Sequence, residues 1–435
     1  MIRTNAFISA VLMPVILRSD ISAHAGAAAA AFSSSSSLLP TTTSGATHST
    51  STDTVGPHHS SSYAAHTKTP NCGSSLVPRH RGDRTACQAS SAQYHEGKIT
   101  VTRQSRPQST FSSTVSSLFG STNGGSSKKK KKKRRTDDAR SNPNDTELVE
   151  LDIYYRIYNP DSLQSGDKMP LMVLHGGPSL PSEYLYSIAD NMPGDRAVIF
   201  YDQIGCGRSS EPKQLDFYGI PQSIDDLEVL LDKLGLHRFH LLGHSFGGVL
   251  AYEYAKRIAE RGHVLVDTVA ATPATERAQC VSVILANTST SMEKSDQEWT
   301  RLVLECATDH SLPGVTPNDR FFRRNQCRLD EIPKDLSAAF EHCGGTWFGT
   351  NVVADWVAAP PFEQYMQDLP PFLLITGEYD FVTLPCTAGW TDVLGDALVK
   401  EEMMTDCSHY VHYEQPASFG SIWEEFCSSN DDSSS

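Results

Sequence analysis

Large apolar side chains are almost missing from residues 32–63, which are dominated by Ser, Thr, Ala, Gly and His. Such a stretch cannot bury enough surface to offset the entropy of ordering, and it reads as disordered. Acidic residues are scarce over the first third of the chain. Residues 1–143 hold 18 Lys and Arg against 6 Asp and Glu, whereas the rest hold 19 against 45. Phosphate contact needs clustered positive charge, so this acidic body excludes a nucleic-acid surface on the folded part. No apolar run suits a bilayer: the stretch Ala6 to Leu17 is interrupted by Pro14 and closed by Arg18, well short of the roughly 20 residues a spanning helix needs. None of the ten cysteines forms the close pairs of a zinc or thioredoxin motif. Cys72 and Cys87 lie in the tail, and Cys206, Cys280 and Cys407 fall in apolar or motif-bearing segments, where buried free thiols are the usual outcome. There is no internal repeat.

What the first third does contain resembles an address label. Arg3, the short apolar stretch and Ala23-His24-Ala25 have the layout of a secretory signal with an Ala-x-Ala cleavage site. The following acid-poor Ala/Ser/Thr stretch equally fits an organellar transit peptide, so import is expected and its destination is open. Eight successive cations from Lys128 to Arg135 read as a solvated linker, with a nuclear address or an anionic-membrane contact as alternatives.

From Glu147 onward short β-branched and aromatic runs alternate with helical periodicity, the pattern of an α/β fold with a mainly parallel sheet. Strands are expected at Val149 to Tyr158, Leu171 to Leu174, Arg196 to Tyr201, Arg238 to Leu242, Val281 to Ala286 and Phe372 to Ile375. Helices are expected at Leu227 to Leu234, Gly248 to Arg261 and Ser418 to Cys427. Between about Thr288 and Asp368 the strand rhythm stops and helix-like segments, Asp296 to Cys306 and Asp335 to His342, suggest an inserted helical cap.

The pentapeptide Gly243-His244-Ser245-Phe246-Gly247 lies between an expected strand and a small-residue helix. This is the setting of the strained nucleophile turn in the α/β-hydrolase fold. A serine hydroxyl needs a base, and the base needs an acid to hold its tautomer; in this fold the order along the chain is Ser, acid, His. Asp380 follows the strand ending at Ile375, and His409 lies 29 residues further on, with Glu378 and His412 as rivals. Backbone donors for an oxyanion are expected from the N–H groups of Gly177 and Phe246. The turn His175-Gly176-Gly177-Pro178 lets the backbone approach a substrate, with His175 supporting the loop. This chemistry requires no metal or cofactor.

Together these residues resemble the proline iminopeptidase (prolyl aminopeptidase) family of α/β-hydrolases, over roughly residues 147–427. The family's loop His-Gly-Gly-Pro-Gly stands here as His175-Gly176-Gly177-Pro178-Ser179, and its Asp-Gln-x-Gly-x-Gly-x-Ser as Asp202 to Ser209. Asn287 to Ser291 and Arg323 to Leu329 also look like family segments. The resemblance favours Asp380 and His409 over their rivals. It implies a strand Glu96 to Val101 paired with Leu151 to Tyr158, which makes about 103–145 an insertion at a hairpin tip. The expected organisation is a targeting segment and tail at 1–95, core at 96–287, cap at 288–368, core at 369–427 and a short tail at 428–435.

The activity implied is an aminopeptidase releasing an N-terminal residue through an acyl-enzyme, acting on a small peptide. An esterase or other amidase with the same triad is the alternative, and a non-catalytic receptor or scaffold the reading from another class. Three positions depart from the family. Phe381 stands where a Glu commonly follows the acid, Ser179 replaces the last loop Gly, and the cap's second amine-binding Glu has no clear match near a shortened Gly344 to Trp356. Glu341, Asp355 and Glu363 are candidates for it.

Overall fold

The computed structural model describes residues 94–105, 147–165, 168–190, 195–261, 278–309, 311, 314–347 and 352–431. The expectations for residues 1–93, for the Lys128 to Arg135 run and for the last four residues lie outside these. Eight strands form one sheet in the order β1-β2-β4-β3-β5-β6-β7-β8. They are β1 Tyr94–Ser105, β2 Glu147–Tyr158, β3 Leu171–Leu174, β4 Val198–Tyr201, β5 Arg238–His244, β6 Gln279–Ala286, β7 Phe372–Gly377 and β8 Leu398–Met404. β1 pairs antiparallel with β2 along its whole length, Val101 opposite Leu151 and Glu96 opposite Arg156, and β2 pairs antiparallel with β4. Every other neighbour pair is parallel. This is an α/β-hydrolase sheet.

The central strands are apolar throughout because both faces are covered. Alternate side chains divide between two cores: Met172, Leu174, Ile199, Leu241 and Leu374 on one face, Leu171, Val173, Val198, Leu242 and Leu373 on the other. Helices α1 Ile220–Lys233 and α2 Phe246–Arg261 cover the first face through Leu227, Leu230, Val249 and Tyr252. The second is covered by the C-terminal helix, here called α5, Pro416–Asn430, through Phe419, Trp423 and Phe426. Between β6 and β7 come α3 Met292–Thr308, a turn of α-helix at Pro317–Phe321, a π-helical turn at Phe322–Gln326, and α4 Lys334–Glu341.

Most element ends differ from expectation by one to a few residues, and three of the starts bear on the site and its support. α1 begins at Ile220, seven residues earlier than its apolar periodicity implies, because Gly219 at φ +147° opens the turn and Pro221 occupies the first turn. α2 begins at Phe246, directly after the serine. β4 begins at Val198, two residues later than expected, and the Arg196 side chain just before it pairs with Glu424 and Asp431. Among the described residues no helix is long and apolar enough to cross a membrane.

Candidate active site

Ser245 follows β5 and precedes α2, with φ +55° in the left-handed region that a serine rarely enters. Its amide donates to Ala286 O at 2.8 Å, and its carbonyl accepts from Gly248 N–H at 3.0 Å and from Thr288 Oγ1 at 3.2 Å. These bonds hold the strained residue at the C-terminal edge of the sheet. The flanking glycines are needed for close approach: a Cβ on Gly247 would stand 2.1 Å from Leu174 O. Ser245 is half-buried between fully buried His244 and Phe246.

The loop after β3 lies against it, for a Cβ on Gly176 would come within 2.9 Å of Ser245 Cβ. His175 is wholly buried; its Nε2 accepts from Gln203 N–H at 2.9 Å, so Nδ1 carries the proton and donates to Gly176 O at 2.9 Å. Burial lowers the His175 pKa, which keeps that tautomer neutral. The arrangement is that of a loop support. Gly176 N–H donates to Tyr184 Oη at 2.8 Å and is thereby occupied. Gly177, at φ +116° and joined to Pro178 by a cis peptide, is the exposed residue in an otherwise buried loop. Phe246, whose amide is the other expected donor, is the first residue of α2.

Asp202 to Ser209 forms a knot under this loop. Asp202 Oδ1 accepts from Ser182 N–H and Oγ at 2.9 and 2.7 Å, and Oδ2 from Arg208 N–H at 2.9 Å. Ser209 Oγ donates to Asp202 O at 2.6 Å. A side chain at Gly207 would strike Asp202 Oδ2.

Asp380 lies on the loop after β7 and is buried. His409 Nδ1 donates to Asp380 Oδ1 at 2.9 Å, which leaves Nε2 free to accept a proton. Asn287 Nδ2 donates to the other carboxylate oxygen at 2.6 Å, and Val382 N–H donates to Oδ1 at 2.9 Å. His409 packs beside His244, ring centroids 4.8 Å apart, so the Asp380–His409 pair stands next to the serine turn. The rivals are engaged elsewhere. Glu378 is exposed and accepts from Asp406 N–H, while His412 Nε2 donates to Tyr184 O and burial lowers its pKa to about 3.

Sequence reasoning did not assign three features of this site. Asn287, left-handed at φ +54° and fully buried, stands in a segment whose family likeness carries no role for it. The π-helical turn ties together the loops that carry Asp380 and His409: Asn325 exchanges hydrogen bonds with Tyr379 O and Phe381 N–H, and Gln326 O accepts from Tyr410 N–H. Such turns recur at functional sites. The third is Tyr184, buried between Gly176 and His244.

Phe381 packs against His409 with ring centroids 4.4 Å apart and planes tilted by 43°, and it meets Trp299 of α3 at 5.0 Å, which packs on Phe321 at 4.3 Å. Trp299 and Phe381 are half-buried, so this aromatic wall keeps an accessible face beside the imidazole. Glu341, Asp355 and Glu363 are all exposed. Ser179 Oγ contacts Cys343 Sγ at 3.3 Å, and Ser179 O accepts from Gly344 N–H, tying the loop to the segment after α4.

Residues 169–416 match the family model described as alpha/beta hydrolase fold. The chain is 28% identical over 299 residues to a proline iminopeptidase of Saccharolobus solfataricus, covering 64% of this chain and 90% of that one. It is 38% identical over 135 residues to a proline iminopeptidase of Clostridium botulinum, covering 30% of this chain and 45% of that one. Among solved structures it is similar to VinJ, with a TM-score of 0.50 and 25% identity over 64% of this chain and 96% of that one.

Proposed function

This chain belongs to the α/β-hydrolase fold family, and we propose that it is a serine hydrolase in which Ser245 is the nucleophile, His409 the base and Asp380 the residue that orients His409. The observation that carries the reading is the 2.9 Å Asp380–His409 hydrogen bond beside a serine held at φ +55°. Ser245 Oγ attacks the substrate carbonyl as His409 Nε2 takes its proton. The imidazolium, stabilised by Asp380, returns that proton to the leaving group, and water then releases the acyl group by the same steps in reverse order. Gly177 and Phe246 amides receive the developing oxyanion; a donor of this kind is worth roughly 3–4 kcal/mol of transition-state stabilisation in such enzymes. The reaction as written uses no metal or cofactor.

The substrate proposed is a short peptide or small amide from which an N-terminal residue is released, on the likeness to proline iminopeptidases. The segment from about 288 to 368 serves as a cap between core parts 96–287 and 369–427. A second reading, hydrolysis of esters or neutral amides, is favoured by one observation: an aromatic ring, Phe381, faces the imidazole where a carboxylate would hold a cationic amine. An ammonium group desolvated there would go unpaired.

Labelling with a fluorophosphonate probe tests the nucleophile. Wild-type protein is expected to label and Ser245→Ala to stay unlabelled while keeping its fold. An unreactive, well-folded wild type would leave only a receptor or scaffold on a hydrolase fold.

A further inference from the structure

We infer that Tyr184 and His244 are positioning residues that couple the oxyanion loop to the catalytic histidine. The inference rests on the reading of Ser245 and His409 as nucleophile and base. Three hydrogen bonds of 2.8 Å run in line: Gly176 N to Tyr184 Oη, Tyr184 Oη to His244 Nδ1, and His244 Nε2 to His409 O.

Their polarity is fixed at both ends. A backbone carbonyl can only accept, so His244 Nε2 carries a proton and donates to His409 O. A neutral imidazole then offers Nδ1 as an acceptor, which takes the Tyr184 hydroxyl proton, and the hydroxyl oxygen in turn accepts from Gly176 N–H. Each group fills the single role left to it. Burial, reinforced by His409 and His412, holds the His244 pKa well below its ordinary value, so the relay keeps this direction at neutral pH.

The consequence is mechanical. Gly176 precedes the exposed amide of Gly177, His244 precedes Ser245, and the accepting carbonyl belongs to His409 itself. One relay thus reaches a residue of each working part, the oxyanion loop, the nucleophile turn and the base, through groups that touch no substrate. Tyr184 is fully buried, its ring edge-on to His244 and Tyr410 at 5.4 and 5.7 Å. Losing the hydroxyl alone therefore leaves the packing in place while breaking two of the three bonds.

The test compares wild type with Tyr184→Phe, His244→Gln and His244→Leu for kcat and KM on an aryl ester, for the rate of fluorophosphonate labelling, and for the thermal midpoint. Tyr184→Phe is expected to lower kcat and labelling rate about tenfold with KM within about twofold. His244→Gln, whose amide can still donate to His409 O, should retain more activity than His244→Leu. Wild-type kcat in Tyr184→Phe, with only a lowered thermal midpoint, would reduce Tyr184 to a packing residue and overturn the inference. If His244→Leu does not fold, Tyr184→Phe alone decides. A wild type that does not label at all overturns the nucleophile reading and this inference together, whereas a labelled wild type matched by Tyr184→Phe overturns the inference alone.

Discussion

Asn287 Nδ2 binds Asp380 Oδ2 at 2.6 Å, the carboxylate oxygen that His409 leaves unoccupied, and the same nitrogen reaches Ser408 O at 3.3 Å. The acid is therefore gripped from the side opposite the base, by a residue that also touches the main chain just before His409. Asn287→Ala is expected to lower kcat about tenfold or more with little change in KM, measured on folded protein. Asn287→Asp puts a second carboxyl against Asp380 Oδ2 in place of the amide donor, so its kcat should fall at least as far as that of Asn287→Ala, and a wild-type kcat would count against this placement.

Arg196, with no exposed side-chain surface, donates to Glu424 Oε2 at 2.9 Å, to Asp431 Oδ2 at 2.8 Å and to Met169 O at 2.6 Å, while Asp431 Oδ1 also meets His240 Nε2 at 3.1 Å. Asp431→Ala strips a buried guanidinium of one counter-charge and should cost about 3 kcal/mol. Burial works to raise the Asp431 pKa, but the bonds from His240, Arg196 and Met169 N–H outweigh it and hold the carboxyl far below its ordinary value. A depressed folded pKa gives stability that is complete above the unfolded value of about 4 and lost as pH falls through the folded one. Urea unfolding at pH 7 and near pH 3 should show the wild type losing more stability on acidification than Asp431→Ala. Equal losses would contradict the pairing.

The aromatic wall makes a specificity prediction. On the ester or neutral-amide reading, Phe381 and Trp299 beside His409 predict that amino-blocked aminoacyl arylamides are turned over at least as well as those with a free amine, whereas the aminopeptidase reading predicts the reverse. Phe381→Glu should shift the kcat/KM ratio toward the free amine about tenfold or more. A wild type that already rejects blocked amines would support the aminopeptidase reading instead.

Removing residues 1–90 should leave kcat within about twofold of the full chain. The first described strand begins at Tyr94, and Ser245, Asp380 and His409 all lie beyond it. A soluble, folded truncation without activity would refute this.

The sequence was most legible where burial is two-sided. Leu171–Leu174 reads as a strand residue for residue, because a central parallel strand has no polar face to blur it. β8, Leu398–Met404, escaped the reading for the opposite reason: it is an edge strand, and Lys400, Glu401 and Glu402 break up its apolar pattern. β1 was reached through family resemblance, and it pairs with β2 as expected. Ser245, Asp380 and His409 stood out because their order and local context are distinctive. Asn287 and Tyr184 did not, since their roles depend on partners 93 and 60 residues away with no local spacing to announce them.

The β1–β2 hairpin has a further consequence. Ser105 lies opposite Glu147, and β2 meets β4 only from Tyr155 to Tyr158, with Tyr155 facing the last residue of β4, Tyr201. From Glu147 to Tyr154 the strand therefore runs past the carboxyl ends of the parallel strands, the edge from which Ser245 and Asp380 project. The intervening 41 residues leave and return at a single rung of the ladder there. A change in their number adds only a logarithmic closure cost and no change of register. The open end of this hairpin is thus a place where the sequence between Ser105 and Glu147 can change in length while the sheet keeps its pairing.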